Sequence, residues 1–291
     1  MTRSSPSSQR VPSTGEPQPL SGGADTFERD GVVCLRGAIE EPWLSLAAEG
    51  IRQNLAAPGR FFRDQTPQDS PSRYVFDYWT WPDFDPFRRL VLEGPAANIA
   101  GRCMRVDSVT LLMDNWFLRE GGATGAAPWH QDEPYFDFEG RMLNVWIPLE
   151  PVSEFESLEF LAGSHAWEQV FKPIHFTTHE PFEGVGDDYP DLPDLDAPAH
   201  GQRRLRFALE RGDCLVFDLR TLHRTASGRR AASRTSHRYT LRYAAPGAVF
   251  RPRGPWTEEI SQHLIGQGQR VGEQLNCSLL ARRTVSKQRD S

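Results

Sequence analysis

The chain contains 291 residues, of which 38% are hydrophobic, and it carries a net charge of −6. This length fits one large β-domain with helical additions or two smaller domains, and we favour one domain. The acidic charge and the lack of a long Lys/Arg run argue against binding to nucleic acid or to an anionic membrane. No stretch approaches the roughly 20 apolar residues of a membrane-spanning helix.

The cysteines are widely spaced and form no CxxC motif; they are Cys34, Cys103, Cys214 and Cys277. The N-terminus lacks the apolar segment that a secretory signal needs. We therefore expect a cytoplasmic protein in a reduced setting, with these cysteines acting as small core residues.

The N-terminal part begins with a polar segment. Residues 1–25 are rich in Ser, Pro, Gly and Gln, and such a composition buries too little apolar surface to offset the entropy of ordering. We predict a disordered tail there, with order from Thr26 onward. The apolar run at residues 32–35 then predicts a strand, and Glu41-Pro42 predicts the start of a helix.

A second helix is predicted between Phe87 and Met104, interrupted at Gly94-Pro95. From Val106 onward the pattern changes to short segments that are rich in β-branched and aromatic residues and are separated by turns. Helices followed by a run of strands predict a mainly β fold, a sandwich or jelly roll, with the helices packed outside. The predicted strands cover residues 109–117, 143–149, 158–161, 204–209, 214–218 and 239–243.

Residues 179–201 form a proline-rich, acidic segment with little periodicity. Long irregular insertions in compact domains are usually functional lids or disordered segments, and we expect one of these two here. The final residues, 285–291, read as a polar tail. The sequence therefore predicts a single domain over residues 26–284.

The triplet His130-Gln131-Asp132 and the distant His223 carry the strongest chemical signal. Two imidazoles and one carboxylate can occupy one face of a ferrous ion and leave the other face open for a co-substrate and oxygen. A single His-x-Asp triplet is weak evidence. However, His223 follows an apolar strand entered through an acidic turn, as expected for a ligand that reaches the site from a second strand.

Several arginines follow His223, and two of them interest us most. A dicarboxylate that chelates iron at one end needs its far carboxylate held by a planar, permanently charged group, and arginine supplies that geometry. Arg238 and Arg234 share strand parity, so either side chain could point inward. The hydroxyl of Thr240 could assist.

These motifs resemble the phytanoyl-CoA dioxygenase family of Fe(II)- and 2-oxoglutarate-dependent oxygenases. The resemblance runs from about Phe27 to about Arg253. It is carried by His-Gln-Asp at residues 130–132, the segment Leu-Glu-Phe-Leu-Ala-Gly-Ser-His-Ala-Trp at 158–167, the strand at 212–217 before His223, and the arginine-containing strand after it.

The resemblance implies a double-stranded β-helix of the jelly-roll, cupin-like type, with His130, Asp132 and His223 as iron ligands. It also implies an arginine for 2-oxoglutarate in the last strand. Aligning Tyr243 with the family's strand-end aromatic residue puts Ser236 at that position, so a small insertion must shift the role to Arg238, which we favour, or to Arg234. The resemblance further implies that Trp146 lines the co-substrate pocket, with Asn115 as a weaker polar candidate.

The chemistry implied by the resemblance consumes O2 and 2-oxoglutarate and releases succinate and CO2 while a substrate is oxidised. Asp132 favours hydroxylation, or a desaturating or ring-forming variant, over halogenation, because related halogenases replace this carboxylate with a small residue. We expect a small-molecule substrate, on the ground that such enzymes often act in specialised metabolism. Some of the many aromatic residues between positions 61 and 138 should line an apolar pocket beside the metal, although packing in the core explains most of them equally well.

Two other interpretations remain open from the sequence. A cupin-like isomerase or hydrolase could use the same ligands for a Lewis-acid metal, although it would not need a dicarboxylate anchor. A non-catalytic jelly-roll binding protein would not need an intact ligand set. The sequence does not decide the oligomeric state.

Overall fold

A computed structural model describes residues 20–66, 68, 70–123, 126–167, 169–197, 203–226 and 233–286. The helices are α1 (Leu20–Asp30), α2 (Glu41–Ala56), α3 (Asp85–Glu93), α4 (Ala96–Met104) and α5 (Glu258–Gly266). The strands are β1 (Val32–Leu35), β2 (Arg63–Asp64), β3 (Tyr74–Tyr78), β4 (Ser108–Arg119), β5 (Phe138–Glu139), β6 (Met142–Pro148), β7 (Leu158–Leu161), β8 (Arg204–Arg206), β9 (Cys214–Asp218), β10 (His223–Thr225), β11 (Ser236–Ala244), β12 (Val249–Phe250) and β13 (Arg282–Thr284).

The strands form one large sheet and two small ones. The large sheet has the order β1-β9-β6-β11-β4-β3-β2, and β13 pairs with β4. A three-stranded sheet has the order β10-β7-β8, and β12 pairs with β5. The strand pairings are antiparallel, and His130 extends the small sheet through a bridge to His223. This arrangement is the jelly roll expected from the sequence.

The two faces of the large sheet pack against different partners. On one face, Tyr239 stacks on Phe87 of α3 with ring centroids 4.9 Å apart, and Trp116 donates a hydrogen bond to Asn54 of α2. On the other face, Trp146 belongs to a buried cluster with Phe160 of the small sheet. Because adjacent residues of a strand point to opposite faces, the even-numbered residues of β11 face the interior between the two sheets.

The predicted helices and strands agree with the observed ones. The helix predicted over 87–104 is α3 followed by α4, and it is broken at Gly94-Pro95 as expected. The strand predictions correspond to β1, β4, β6, β7, β8, β9 and β11, although β8 ends at Arg206 rather than at residue 209. No helix in the described ranges is both long and apolar enough to cross a membrane.

The predicted domain ends differ from the observed elements. Helix α1 begins at Leu20, inside the predicted tail of residues 1–25, and Phe27 of this helix is only 1% exposed. Residues 1–19 lie outside the described residues. At the other end, Val285 packs against the main core and donates its N–H to the carbonyl of Asp107, whereas residues 287–291 lie outside the described residues.

The irregular segment predicted over 179–201 contains turns but no helix or strand over its described part, 179–197. Residues 198–201 lie outside the described residues. Leu195 in this segment is 2% exposed and packs in a small apolar cluster with Trp129, Phe171 and Leu222. The segment therefore packs against Trp129 and Leu222, the residues that immediately precede His130 and His223.

Candidate metal centre

His130 and His223 are joined directly through their backbones. The N–H of each residue donates to the carbonyl of the other, with both N···O distances 3.0 Å. A reciprocally bonded antiparallel pair projects its two side chains from the same face at close range. The imidazole ring centroids consequently lie 4.2 Å apart.

The turn before His223 is held by buried hydroxyl groups. Ser164 donates to the carbonyl of Leu161 over 2.7 Å and accepts the N–H of Leu222 over 2.8 Å. Thr221 donates to the carbonyl of Gly31 over 2.8 Å. The Gly-Ser-His turn that carries the family resemblance therefore positions His223, and its own histidine, His165, contacts the backbone of α1 rather than the metal centre.

Both imidazoles are oriented by backbone carbonyls. Nδ1 of His130 lies 2.8 Å from the carbonyl of Pro128, and Nδ1 of His223 lies 2.9 Å from the carbonyl of Thr221. A carbonyl only accepts hydrogen bonds, so each Nδ1 carries the proton and each Nε2 keeps its lone pair. The two Nε2 atoms lie 3.5 and 3.6 Å from Oδ1 of Asp132.

The second carboxylate oxygen of Asp132 has a different set of partners. Oδ2 lies 3.3 Å from Nε and 3.2 Å from Nη2 of Arg242, and 3.5 Å from the amide nitrogen of Asn144. Arg242 is 7% exposed and its guanidinium stacks over Phe136 at 4.8 Å. Asp132 thus presents Oδ1 to the histidines while Oδ2 is bound to Arg242 and Asn144.

Burial and neighbouring charges shift the pKa values of Asp132 and His223. Burial opposes ionisation of Asp132, but the positive charge of Arg242 and the adjacent imidazoles outweigh it and lower the pKa of the carboxyl group. Burial, assisted by His130, lowers the pKa of His223 to about 3. A carboxylate and a neutral imidazole are the forms that bind metal ions.

His130, Asp132 and His223 therefore form a group that could hold a metal ion. One ligand atom from each residue lies within 4.8 Å of the others, and all three residues are buried. Two imidazole nitrogens and one carboxylate oxygen are the donor set of the facial triad that suits ferrous iron. These three residues therefore suit ferrous iron, because their donor atoms are of the right type and face one another.

Of the other residues predicted from the sequence, Thr240, Trp146, Asn115 and Arg238 lie on the interior face of the large sheet, whereas Arg234 does not. Thr240 of β11 pairs with Trp146 of β6 on one side and with Asn115 of β4 on the other. Arg238 lies two residues from Thr240 along β11, and its guanidinium stacks over Trp146 at 5.3 Å. Arg234 is exposed and precedes β11, which begins at Ser236. It is not part of that strand, so the prediction that it points to the same face as Arg238 does not apply.

Arg242 is the residue of the site that the sequence analysis did not select. Like Arg238 it has an even position in β11, and its place between Leu241 and Tyr243 was a usable signal, because a charged group among core residues needs a partner. Identifying that partner required the position of Asp132, which follows a different strand.

Gln131 and His130 contact the irregular chain that follows residue 167. The buried side chain of Gln131 donates to the carbonyls of Gln169 and Arg220 and accepts the N–H of Phe171. Phe176 packs on His130 with ring centroids 4.6 Å apart. The irregular chain around residues 169–176 therefore contacts the segment that carries the candidate ligands His130 and Asp132 directly.

Comparison with known proteins relates the chain to one family. No curated protein sequence matches it. Among solved structures, it is similar to the epimerase SnoN in complex with Fe3+, α-ketoglutarate and nogalamycin RO, with 22% identity, a TM-score of 0.68, and coverage of 90% of this chain and 98% of that chain. It is also similar to the α-ketoglutarate-dependent carbocyclase SnoK from nogalamycin biosynthesis, with 18% identity, a TM-score of 0.69, and coverage of 93% and 100%.

A third similar structure is apo EctD from S. alaskensis, with 17% identity, a TM-score of 0.62, and coverage of 85% of this chain and 84% of that chain. At these identities the likeness establishes the fold. The sequence profile of phytanoyl-CoA dioxygenase (PhyH) matches residues 27–236, which is more than half of the chain and includes the three candidate ligands. The chain belongs to the phytanoyl-CoA dioxygenase (PhyH) family.

Proposed function

We propose that this protein is a non-heme Fe(II)- and 2-oxoglutarate-dependent oxygenase that oxidises a small molecule of specialised metabolism. The observation that carries the proposal is the convergence of both Nε2 atoms and Oδ1 of Asp132 inside the jelly roll. Membership of the PhyH family and the likeness to SnoN, solved with Fe3+ and α-ketoglutarate, support it. The cysteines Cys34, Cys103, Cys214 and Cys277 are unpaired, which suits the cytoplasmic setting expected from the sequence.

His130, His223 and Asp132 would hold the iron through the atoms that face one another. When bound, iron with 2-oxoglutarate and O2 supplies the oxidising chemistry and releases succinate and CO2. The protein holds the three metal-binding side chains in place and limits the access of water to the metal. The carbonyls of Pro128 and Thr221 fix the two imidazole tautomers, so no rearrangement of the rings is needed when the ion binds.

Arg238 is our candidate for binding the far carboxylate of 2-oxoglutarate. It lies on the same face of β11 as Arg242 and four residues away, a Cα separation of about 13 Å along the strand. Burial lowers the pKa of its guanidinium, and among the described residues no hydrogen-bond partner meets its buried Nε. A bound carboxylate would supply both the missing acceptor and the missing charge.

The neighbours of Arg238 suit an elongated dicarboxylate. Trp146 supplies a flat apolar wall beneath the guanidinium, and Thr240 lies between Arg238 and Arg242 with its hydroxyl 3.4 Å from the latter. Asn115 is the weakest candidate, because its amide already donates to the carbonyl of Asp77 over 2.7 Å. Arg234 lines the same cleft as Arg238 from its exposed end and is the alternative anchor.

Arg242 has a separate role in this proposal. By binding Oδ2, it leaves one oxygen of Asp132 for the metal, which keeps coordination positions open for the co-substrate and O2. Retention of Asp132 also favours oxygenation over halogenation. Hydroxylation, desaturation, ring closure and epimerisation all remain compatible with such a site, since similar structures include an epimerase and a carbocyclase.

The first prediction concerns co-substrate chelation. Anaerobic addition of Fe(II) and 2-oxoglutarate should produce the weak visible charge-transfer band of a chelated keto acid. The His130→Ala variant should lack the band and should form no succinate in air. A Lewis-acid enzyme or a binding protein would give no band in the wild type at saturating ligand, and that result would refute the proposal.

The second prediction separates the two candidate anchors. Arg238→Gln should raise the Kd of 2-oxoglutarate for the metal-loaded protein by at least about tenfold, because one charge-assisted bidentate contact contributes roughly 1.5–3 kcal/mol. Arg234→Gln is the matched control and should change this Kd by less than about twofold. If the effects are reversed in calorimetric titrations, Arg234 is the anchor.

The third prediction concerns Arg242. Removing one partner of a buried ion pair costs about 3–5 kcal/mol, so metal-free Arg242→Met should unfold at a clearly lower urea concentration than Arg238→Met, whose guanidinium does not contact Asp132. Mn(II) should stabilise Arg242→Met more than the wild type, because the ion replaces the missing positive charge beside Asp132. Equal stabilisation of both proteins by Mn(II) would contradict this role.

A further inference from the structure

A short hairpin of the irregular segment lies against the candidate metal centre. Ile174 and Pro181 form an isolated antiparallel bridge, and backbone hydrogen bonds of 2.8 Å within the turn close it. Residues 174–181 are here called the 174–181 hairpin. Phe176 of this hairpin is 39% exposed, and it belongs to none of the hydrophobic core clusters formed by the described residues.

Two side chains beside the candidate ligands hold this hairpin in place. The hydroxyl of Tyr135 donates to the carbonyl of Ile174 over 2.9 Å and accepts the N–H of the same residue over 3.0 Å. The side chain of Gln131 accepts the N–H of Phe171, just before the hairpin, over 2.9 Å. Because Gln131 lies between two of the candidate ligands in the sequence, the hairpin is attached to the chain segment that supplies them.

Phe176 contacts one of the candidate ligands directly. Its ring centroid lies 4.6 Å from that of the His130 imidazole, and the two ring planes are inclined by 56°. Tyr135 meets Phe176 at 5.4 Å and His130 at 6.0 Å, both in edge-to-face geometry. These separations are those of favourable aromatic contacts. Single exposed apolar residues are common on protein surfaces, but Phe176 differs from them because its ring packs on a candidate metal ligand.

The two imidazoles of the site pack against aromatic rings of different kinds. His223 packs against Phe217 at 4.8 Å and Phe160 at 5.7 Å, and these two rings are no more than 1% exposed. His130 packs against the exposed ring of Phe176, and it is itself the more exposed imidazole, at 9% compared with 4% for His223. The hydrophobic core therefore supports His223, whereas a surface hairpin supports His130. Surface segments with few buried contacts open at a lower free energy than a packed core.

We infer that Phe176 is a positioning residue of the metal centre, whose ring holds the imidazole of His130 against a bound ion and so slows release of that ion. The inference rests on the metal-binding part of the proposed function and does not depend on 2-oxoglutarate. Release of the ion then begins with opening of the 174–181 hairpin and displacement of His130, while His223 stays in its place in the core.

The test measures release of Mn(II) from the loaded full-length chain into excess EDTA, followed by water-proton relaxation. Phe176→Ala should raise the release rate constant by at least about threefold, since one aromatic contact to the ligand is lost. Its urea midpoint should match that of the wild type, because the ring lies outside the core. Phe176→Tyr keeps the ring and should restore the wild-type rate, which a loss caused by general destabilisation would not predict.

Phe182→Ala is the matched control. Phe182 is a half-buried ring next to the same hairpin that contacts Tyr135 and His175, and its printed ring contacts do not include a candidate ligand. This variant should release Mn(II) at nearly the wild-type rate. Tyr135→Phe should speed release although Phe176 is intact, because it removes both hydrogen bonds that hold Ile174.

Equal release rates for the wild type and Phe176→Ala would overturn the inference, and so would equal acceleration by Phe182→Ala and Phe176→Ala. A wild-type chain that does not bind Mn(II) would overturn it as well. If the release rates change as expected but no charge-transfer band forms with Fe(II) and 2-oxoglutarate, the role of Phe176 stands and the proposed oxygenase function fails. If the band forms and the rates are equal, the reverse holds.

Discussion

The reciprocal backbone pair between residues 130 and 223 is the constraint on which the candidate metal centre depends. Two hydrogen bonds join chain positions that are far apart in sequence and fix their register. A slip of one residue would turn one imidazole to the other face of the pair. The hydroxyls of Ser164 and Thr221 reinforce this register from the turn before His223, so contacts within the chain orient the candidate ligands.

Alternate side chains of the large sheet point to opposite faces, so one face packs against the helices and the other carries the candidate site residues. On β11, Tyr239 packs against the helices while Thr240 and Arg242 face the interior. The neighbouring strands β4 and β6 follow the same division, since Trp116 faces α2 and Asn144 faces Asp132. A rigid helical layer behind one face therefore holds the interior residues of the other face in position, which is what a site with several convergent ligands requires.

The sequence was informative where the signal is local. Gly94-Pro95 interrupts the helical pattern at the observed break, and short β-branched segments mark the observed strands. Helix α1 was missed because its residues have weak intrinsic preference, and the helix is stabilised by packing on α4 and β1. Arg242 was not selected because the alternation of side chains gives the face on which a residue lies but not how far along the strand the site is. Arg234 was wrongly assigned to the same face because the sequence did not show that β11 begins only at Ser236.

The account's central claim is that three side chains bind one ferrous ion through Nε2 of His130, Nε2 of His223 and a single oxygen of Asp132. Anomalous diffraction at the iron edge, from crystals grown with Fe(II) under anaerobic conditions, tests it most directly. We expect one peak about 2.0–2.2 Å from these three atoms, with Oδ2 of Asp132 still bound to Arg242. A peak elsewhere, or an ion bound by both oxygens of Asp132, would contradict the account.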